Sequence, residues 1–245
     1  MPMSLWEYAN PKKFMQVSAR VLPVVIGLAG VSLTVGLIWG FFLTPDDFRQ
    51  GSTVKIIFIH VPTAMMAINA WVMMLVASLI WLVRRHHVSA LAARAAAPVG
   101  LTFTAIALVT GAFWGQPMWG TWWAWDPRLT AFLILALFYL GYMALWQAVD
   151  DPDTAADLTA VLCMVGSVFA VLSRYAVKFW NQGLHQDSTI LKVGEADPIA
   201  PAYYVPLVVC IIGFVLLFVA LVLLRTRTEI RARRLSALLA RERLA

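Results

Sequence analysis

A chain of 245 residues that is 61% hydrophobic, only 13% charged and +0.78 in mean hydropathy cannot be a soluble globular domain; it describes an integral membrane protein. The formal net charge of +6 therefore bears first on topology and on anionic lipid, and no basic, aromatic face outside the loops points to nucleic acid. The two cysteines, Cys163 and Cys210, lie far apart inside apolar runs, so no CxxC or CxxCH motif for structural zinc or covalent cofactor attachment is present.

Six apolar runs predict an all-α, polytopic single membrane domain, residues 1–245, with spans at about 21–43, 54–83, 95–113, 129–149, 158–174 and 203–224. The first run follows basic residues but no small-residue cleavage site, which favours a retained helix over a signal peptide. The second holds His60 and Pro62 near its start and ends at Arg84-Arg85-His86-His87. The third leads into a loop at 114–128, and the fourth stops at the acidic turn DDPDTAAD. A long outer loop, 175–202, carries His185, and a basic tail, 225–245, closes the chain.

With six spans both termini share a side. The loops and termini on that side carry thirteen Lys and Arg residues against six on the other, so the positive-inside rule places both termini in the cytoplasm. The loops holding the tryptophans and His185 then face outward together. In the tail, Leu235, Leu238 and Leu239 among arginines fit a helix on the inner leaflet or one touching a cytoplasmic partner.

The loop reads WGQPMWGTWWAWDPRLT from Trp114 to Thr130. Five of the eleven tryptophans, Trp114, Trp119, Trp122, Trp123 and Trp125, fall within twelve residues, among glycines and prolines that predict a loop or short interfacial turn. Such density suits either interfacial anchoring or a platform for a large, flat aromatic ligand. Asp126 either caps the fourth helix, with Pro127 in its first turn, or orients Arg128.

His60 lies about six residues into its span, roughly 9 Å along a helix, where an ionisable group is costly and points to function. Pro62 lacks the N–H that would bond the Phe58 carbonyl, so a kink is expected around His60, and Ala64 and Ala67 on its face leave room for a flat macrocycle. A hydrogen-bonded core histidine is the other account. His60 and His185, both on the outer side, together offer two imidazoles of the kind that ligate haem iron, and the indoles offer apolar walls for a porphyrin. Arg128 and Lys55, near the same boundary, could pair with two propionates. No nucleotide-binding loop, HExxH, GxSxG or catalytic carboxylate pair is present, so the chain is not expected to be an enzyme or to carry its own ATPase.

The loop WGxPMWGTWWxWDxRLT resembles the tryptophan-rich "WWD" signature of haem-handling membrane proteins, specifically the CcmC family of haem exporters in cytochrome c maturation. The likeness extends to chain length, six spans, HVP in the second helix and LHQ in the last outer loop. Two departures stand out. WNQGLHQ carries one residue more than the family's WNxLHQ, and Lys55 stands where an arginine is frequent.

The resemblance implies a protein of the bacterial inner membrane that binds haem b non-covalently at the periplasmic face, His60 and His185 acting as axial ligands beside the tryptophan loop. It further implies delivery of that haem to the periplasmic chaperone CcmE, in company with the small subunit CcmD and the ATP-binding cassette pair CcmA and CcmB. Two rival readings remain: a b-type cytochrome electron-transfer subunit, which would normally need more buried histidines, and a permease subunit of a solute transporter.

Overall fold

The computed structural model describes residues 10–179 and 200–243. Among these residues it is all-helical apart from loops and one isolated β-bridge, Asp47 to Gly51. In chain order, α1 is Pro11–Ile38, α2 Ile57–Arg84, α3 His87–Trp119, α4 Pro127–Ala148, α5 Pro152–Phe179 and α6 Pro201–Glu242. A π-turn, Trp39–Leu43, ends α1, and a 3-10 turn, Ser52–Ile56, leads into α2. Among the described residues, six helical segments are long and apolar enough to cross a membrane.

Most helices outrun the apolar runs that predict them, and polar side chains cap the starts of α1, α3, α4 and α5. Asn10 caps α1, its side chain accepting from the Lys12 amide at 2.9 Å, eleven residues before the expected start. His86 caps α3 in the same way, Nδ1 accepting from the Ser89 amide at 3.0 Å. Asp126 caps α4 and Asp151 precedes α5, accepting from Leu129 at 2.9 Å and Thr154 at 2.7 Å.

The largest departure concerns the expected tryptophan loop. α3 runs on through Trp114, Gly115 and Pro117 to Trp119 and stops at Gly120, which is left-handed at φ 73°. A proline two residues from a helix end removes only one backbone bond. Only residues 120–126 are loop. The basic tail also departs from expectation, since α6 is one 42-residue helix that carries its apolar span directly into the arginines.

The core gathers where α2, α3, α4 and α5 meet. Trp71 of α2 is fully buried, stands edge-on to Tyr139 at 4.7 Å, and donates from Nε1 to the Cys163 carbonyl and Ser167 Oγ, both at 3.2 Å. Tyr139 in turn donates to the Ala67 carbonyl at 2.7 Å, so the rings tie three helices through satisfied polar tips. Two glycines make the crossings possible. A Cβ at Gly166 would lie 2.4 Å from Trp71, and one at Gly100 only 2.3 Å from the Tyr139 hydroxyl.

α1 sits outside this core and packs on α6, with Gly36 against Cys210 and Gly213 against Leu33. Its other faces expose Val24, Leu28, Val31 and Ile38, as lipid-facing positions should.

Candidate functional site

One end of the bundle gathers the start of α2, the end of α3, the start of α4 and the end of α5. Between them lies a largely apolar cavity of about 360 Å³, within the range of small-molecule sites. Its floor is one face of α2, where His60, Ala64 and Ile68 recur at four-residue intervals, and α4 adds Leu129 and Phe132. Three charged or ionisable side chains line it: His60, Arg128 at the start of α4, and Arg174 near the end of α5.

The His60 ring is held from α3. Its Nδ1 lies 3.1 Å from Thr110 Oγ1, and that hydroxyl donates its own proton to the Ile106 carbonyl at 2.7 Å. With its proton directed to that carbonyl, the hydroxyl accepts from the ring in the tautomer that carries a proton on Nδ1. A ligating histidine is normally oriented in this way, by a hydrogen bond from its other nitrogen. Gly111 completes the seat, since a Cβ there would lie 2.9 Å from His60 Cε1. Pro62 leaves α2 short of one backbone donor beside this ring, and Thr63 Oγ1 adds bonds to the Ile59 and His60 carbonyls at 2.8 and 3.0 Å.

The aromatic corner lies beside the cavity, and none of its five indoles is among the lining residues. Trp114 donates to Gln50 Oε1 at 3.0 Å and stands edge-on to Trp119 at 5.3 Å, both of them helical. Thr121 ties the loop to itself, its hydroxyl donating to the Trp123 carbonyl at 2.7 Å. Trp123 meets Trp125 edge-on at 5.6 Å, and Trp122 meets Phe113 at the same separation. The exposed indoles are Trp122, at 57%, and Trp125, at 77%, so these two offer surface to a ligand.

Asp126 is 5% exposed and caps α4, two residues before Arg128. It thus joins the corner to the cavity without lining it. Lys55 sits on the 3-10 turn, bound to Asp46 at 2.8 Å, and does not line the cavity either. Arg174, which sequence reasoning left unassigned, lines the cavity together with Arg128. The only sequence signal for Arg174 was a charge at the outer end of an apolar run. His185 and Trp180 lie outside the described residues.

Among the described residues no cluster of three His, Cys, Asp or Glu side chains could hold a bare metal ion. The donor set is instead one oriented imidazole, apolar walls and two guanidinium groups. It fits a flat apolar macrocycle whose metal takes a nitrogen ligand and whose rim is anionic.

The sequence matches the family described as "Heme exporter protein C" over residues 4–241. A protein of that name from Rhodobacter capsulatus is 70% identical over 243 residues, covering 99% of this chain and all of the relative. Its namesake from Paracoccus denitrificans is 68% identical over the same extent, and that from Escherichia coli 42% identical over 227 residues, 93% of this chain and 91% of the relative. This chain therefore belongs to the heme exporter protein C family.

Proposed function

We propose that this chain takes part in haem export for cytochrome c maturation, binding haem b as a non-covalent substrate at the cavity beside His60 and presenting it to an acceptor. The observation that carries the reading is the His60 seat, an imidazole whose Nδ1 lies 3.1 Å from Thr110 Oγ1, in an apolar cavity that also holds Arg128 and Arg174. His60 supplies one axial nitrogen. His185 supplies the second, a role resting on its place in the LHQ motif. Arg128 orients the propionate edge, while Trp122 and Trp125 cover the exposed ring. Trp114, Trp119, Trp123 and Asp126 hold that corner in shape, and Lys55 keeps a positive charge at the rim.

The chain performs no bond chemistry in this reading. It holds haem at the periplasmic face of the inner membrane, both termini lying in the cytoplasm, and passes it to the chaperone CcmE. CcmD is its small membrane companion, and CcmA with CcmB supply the ATP-driven step.

The test is a haem titration of the purified protein. Wild type is expected to develop a Soret band typical of bis-histidine ligation. His60→Ala and His185→Ala should each lose it and regain it with added imidazole. A wild-type protein with no Soret band, with or without haem, would overturn the reading.

A further inference from the structure

At the opposite end of the bundle, α3, α4 and α6 enclose a cleft of about 110 Å³ that plays no part in the His60 site. Arg94 is the last charge before the apolar run of α3, and Arg225 is the first after that of α6. Both line the cleft, together with Trp146 and Gln147, two residues and one from the end of α4. These side chains therefore stand at one boundary of the hydrocarbon layer.

Donors outnumber acceptors here. Trp146 is 7% exposed, and its Nε1 makes no hydrogen bond of standard geometry among the described residues; it interacts with the neighbouring Tyr142 hydroxyl outside that geometry. A buried indole N–H without an acceptor is costly and normally finds one. Arg94 stacks over the Trp146 ring, 4.8 Å from its centroid, and uses the single carboxylate present, Glu229, at 3.3 Å. The guanidinium of Arg225 and the amide of Gln147 add further donors. What the cleft lacks is an oxygen-rich anion.

We propose that this cleft binds a phosphate group, carried by an anionic phospholipid of the adjoining leaflet. Trp146 and Arg225 donate to phosphate oxygens, and Arg94, oriented by Glu229 and the indole, adds its charge. Basic clefts between helices at this level are suited to such headgroups, and the acyl chains of a lipid so held continue along the apolar flank of the bundle.

The test is native mass spectrometry of the full chain released from nanodiscs of phosphatidylglycerol or of phosphatidylcholine. One retained phosphatidylglycerol is expected on the wild type, with phosphatidylcholine retained far less. Trp146→Phe keeps the ring and the stacking but loses the donor. It and Arg225→Gln should each lower retention by about tenfold, in keeping with loss of a charge-assisted hydrogen bond. Equal retention of the two lipids, or unchanged retention in both variants, would overturn the proposal.

Because either variant could fold poorly, the wild-type indole N–H resonances provide a second reading. Titrating phosphatidylglycerol into detergent-solubilised protein should move the Trp146 signal, and inorganic phosphate at equal concentration should not. A signal that ignores the lipid indicates a water-filled cleft, and one that follows free phosphate equally well indicates a soluble anion; either result overturns the lipid assignment.

Discussion

His60 shows how a single hydrogen bond decides what a side chain can do. With Nδ1 engaged by Thr110 Oγ1, the ring is held in one orientation at the cavity wall. Thr110→Val should weaken haem binding by about ten- to a hundredfold, the usual effect of removing an outer partner from a metal ligand, and Thr110→Ser should restore it. Nitrogen-15 shifts of the haem-free protein give an independent readout: the Nδ1–H tautomer in wild type and Thr110→Ser, a tautomer mixture in Thr110→Val.

Gly111→Ala should act in the same direction, because its methyl would sit 2.9 Å from Cε1 of a ring that Thr110 prevents from backing away. The charges around the ring are open to the same kind of comparison. Arg174→Ala is expected to lower haem affinity more than Lys55→Ala, since Arg174 lines the cavity and Lys55 is engaged by Asp46. Equal losses in the two titrations would contradict the assignment.

At the scale of elements, the corner between α3 and α4 works through its caps. Gly120 ends one helix in a left-handed turn, and Asp126 begins the next by accepting the Leu129 amide. Asp126→Ala should cost about 1 kcal/mol of stability in denaturant unfolding, whereas Asp126→Asn, an equally good cap, should cost little. If Asp126→Asn nonetheless loses haem, the carboxylate has a role beyond capping. The acidic turn before α5 behaves alike. Hydrogen bonds from the side chain and amide of Thr154 hold Asp151 below the ordinary carboxylate range. Its contribution to stability is thus complete above the unfolded-state pKa of about 3.9 and fades as pH falls through the lower, folded value.

For the molecule as a whole, the packing around Trp71 and Tyr139 makes a rigid block of α2 to α5, on which both ends of the bundle are built. Tyr139→Phe keeps the ring and removes one buried bond, for an expected loss of about 1 kcal/mol, read as an earlier unfolding midpoint. The far end is tied by ionic contacts. Asp157 receives Trp81 Nε1 at 2.9 Å and also Arg85, while Arg233 of α6 reaches Asp153 at 2.9 Å. Arg227 donates to the Met15 carbonyl and Ser18 Oγ, each at 2.8 Å. The first turns of the basic tail are therefore fastened to α1 and to the start of α5, and the stretch with Leu235, Leu238 and Leu239 is exposed. Orientation can be read directly, because Cys163 and Cys210 are buried and give little background. In intact cells a membrane-impermeant thiol reagent should label Trp122→Cys and not Leu238→Cys, and the reverse pattern would invert the topology.

The sequence by itself determined the membrane class, the number of helices, the family signature and two members of the cavity, His60 and Arg128. These follow from hydropathy, from charge at the ends of apolar runs and from a motif whose residues are contiguous. Tertiary structure alone decided the rest. That Thr110 and Gly111 of α3 seat His60, that Arg174 of α5 joins Arg128 while Lys55 turns to Asp46, and that Trp146 closes a cleft with Arg225 are facts of helices meeting across long chain separations. Helix ends were decided by particular hydrogen bonds at Asn10, His86 and Gly120, each contributing on the order of 1 kcal/mol, too little to register in an average over an apolar window. Hydrophobic periodicity records which residues leave water, and it carries no information on which neighbour they meet when they do.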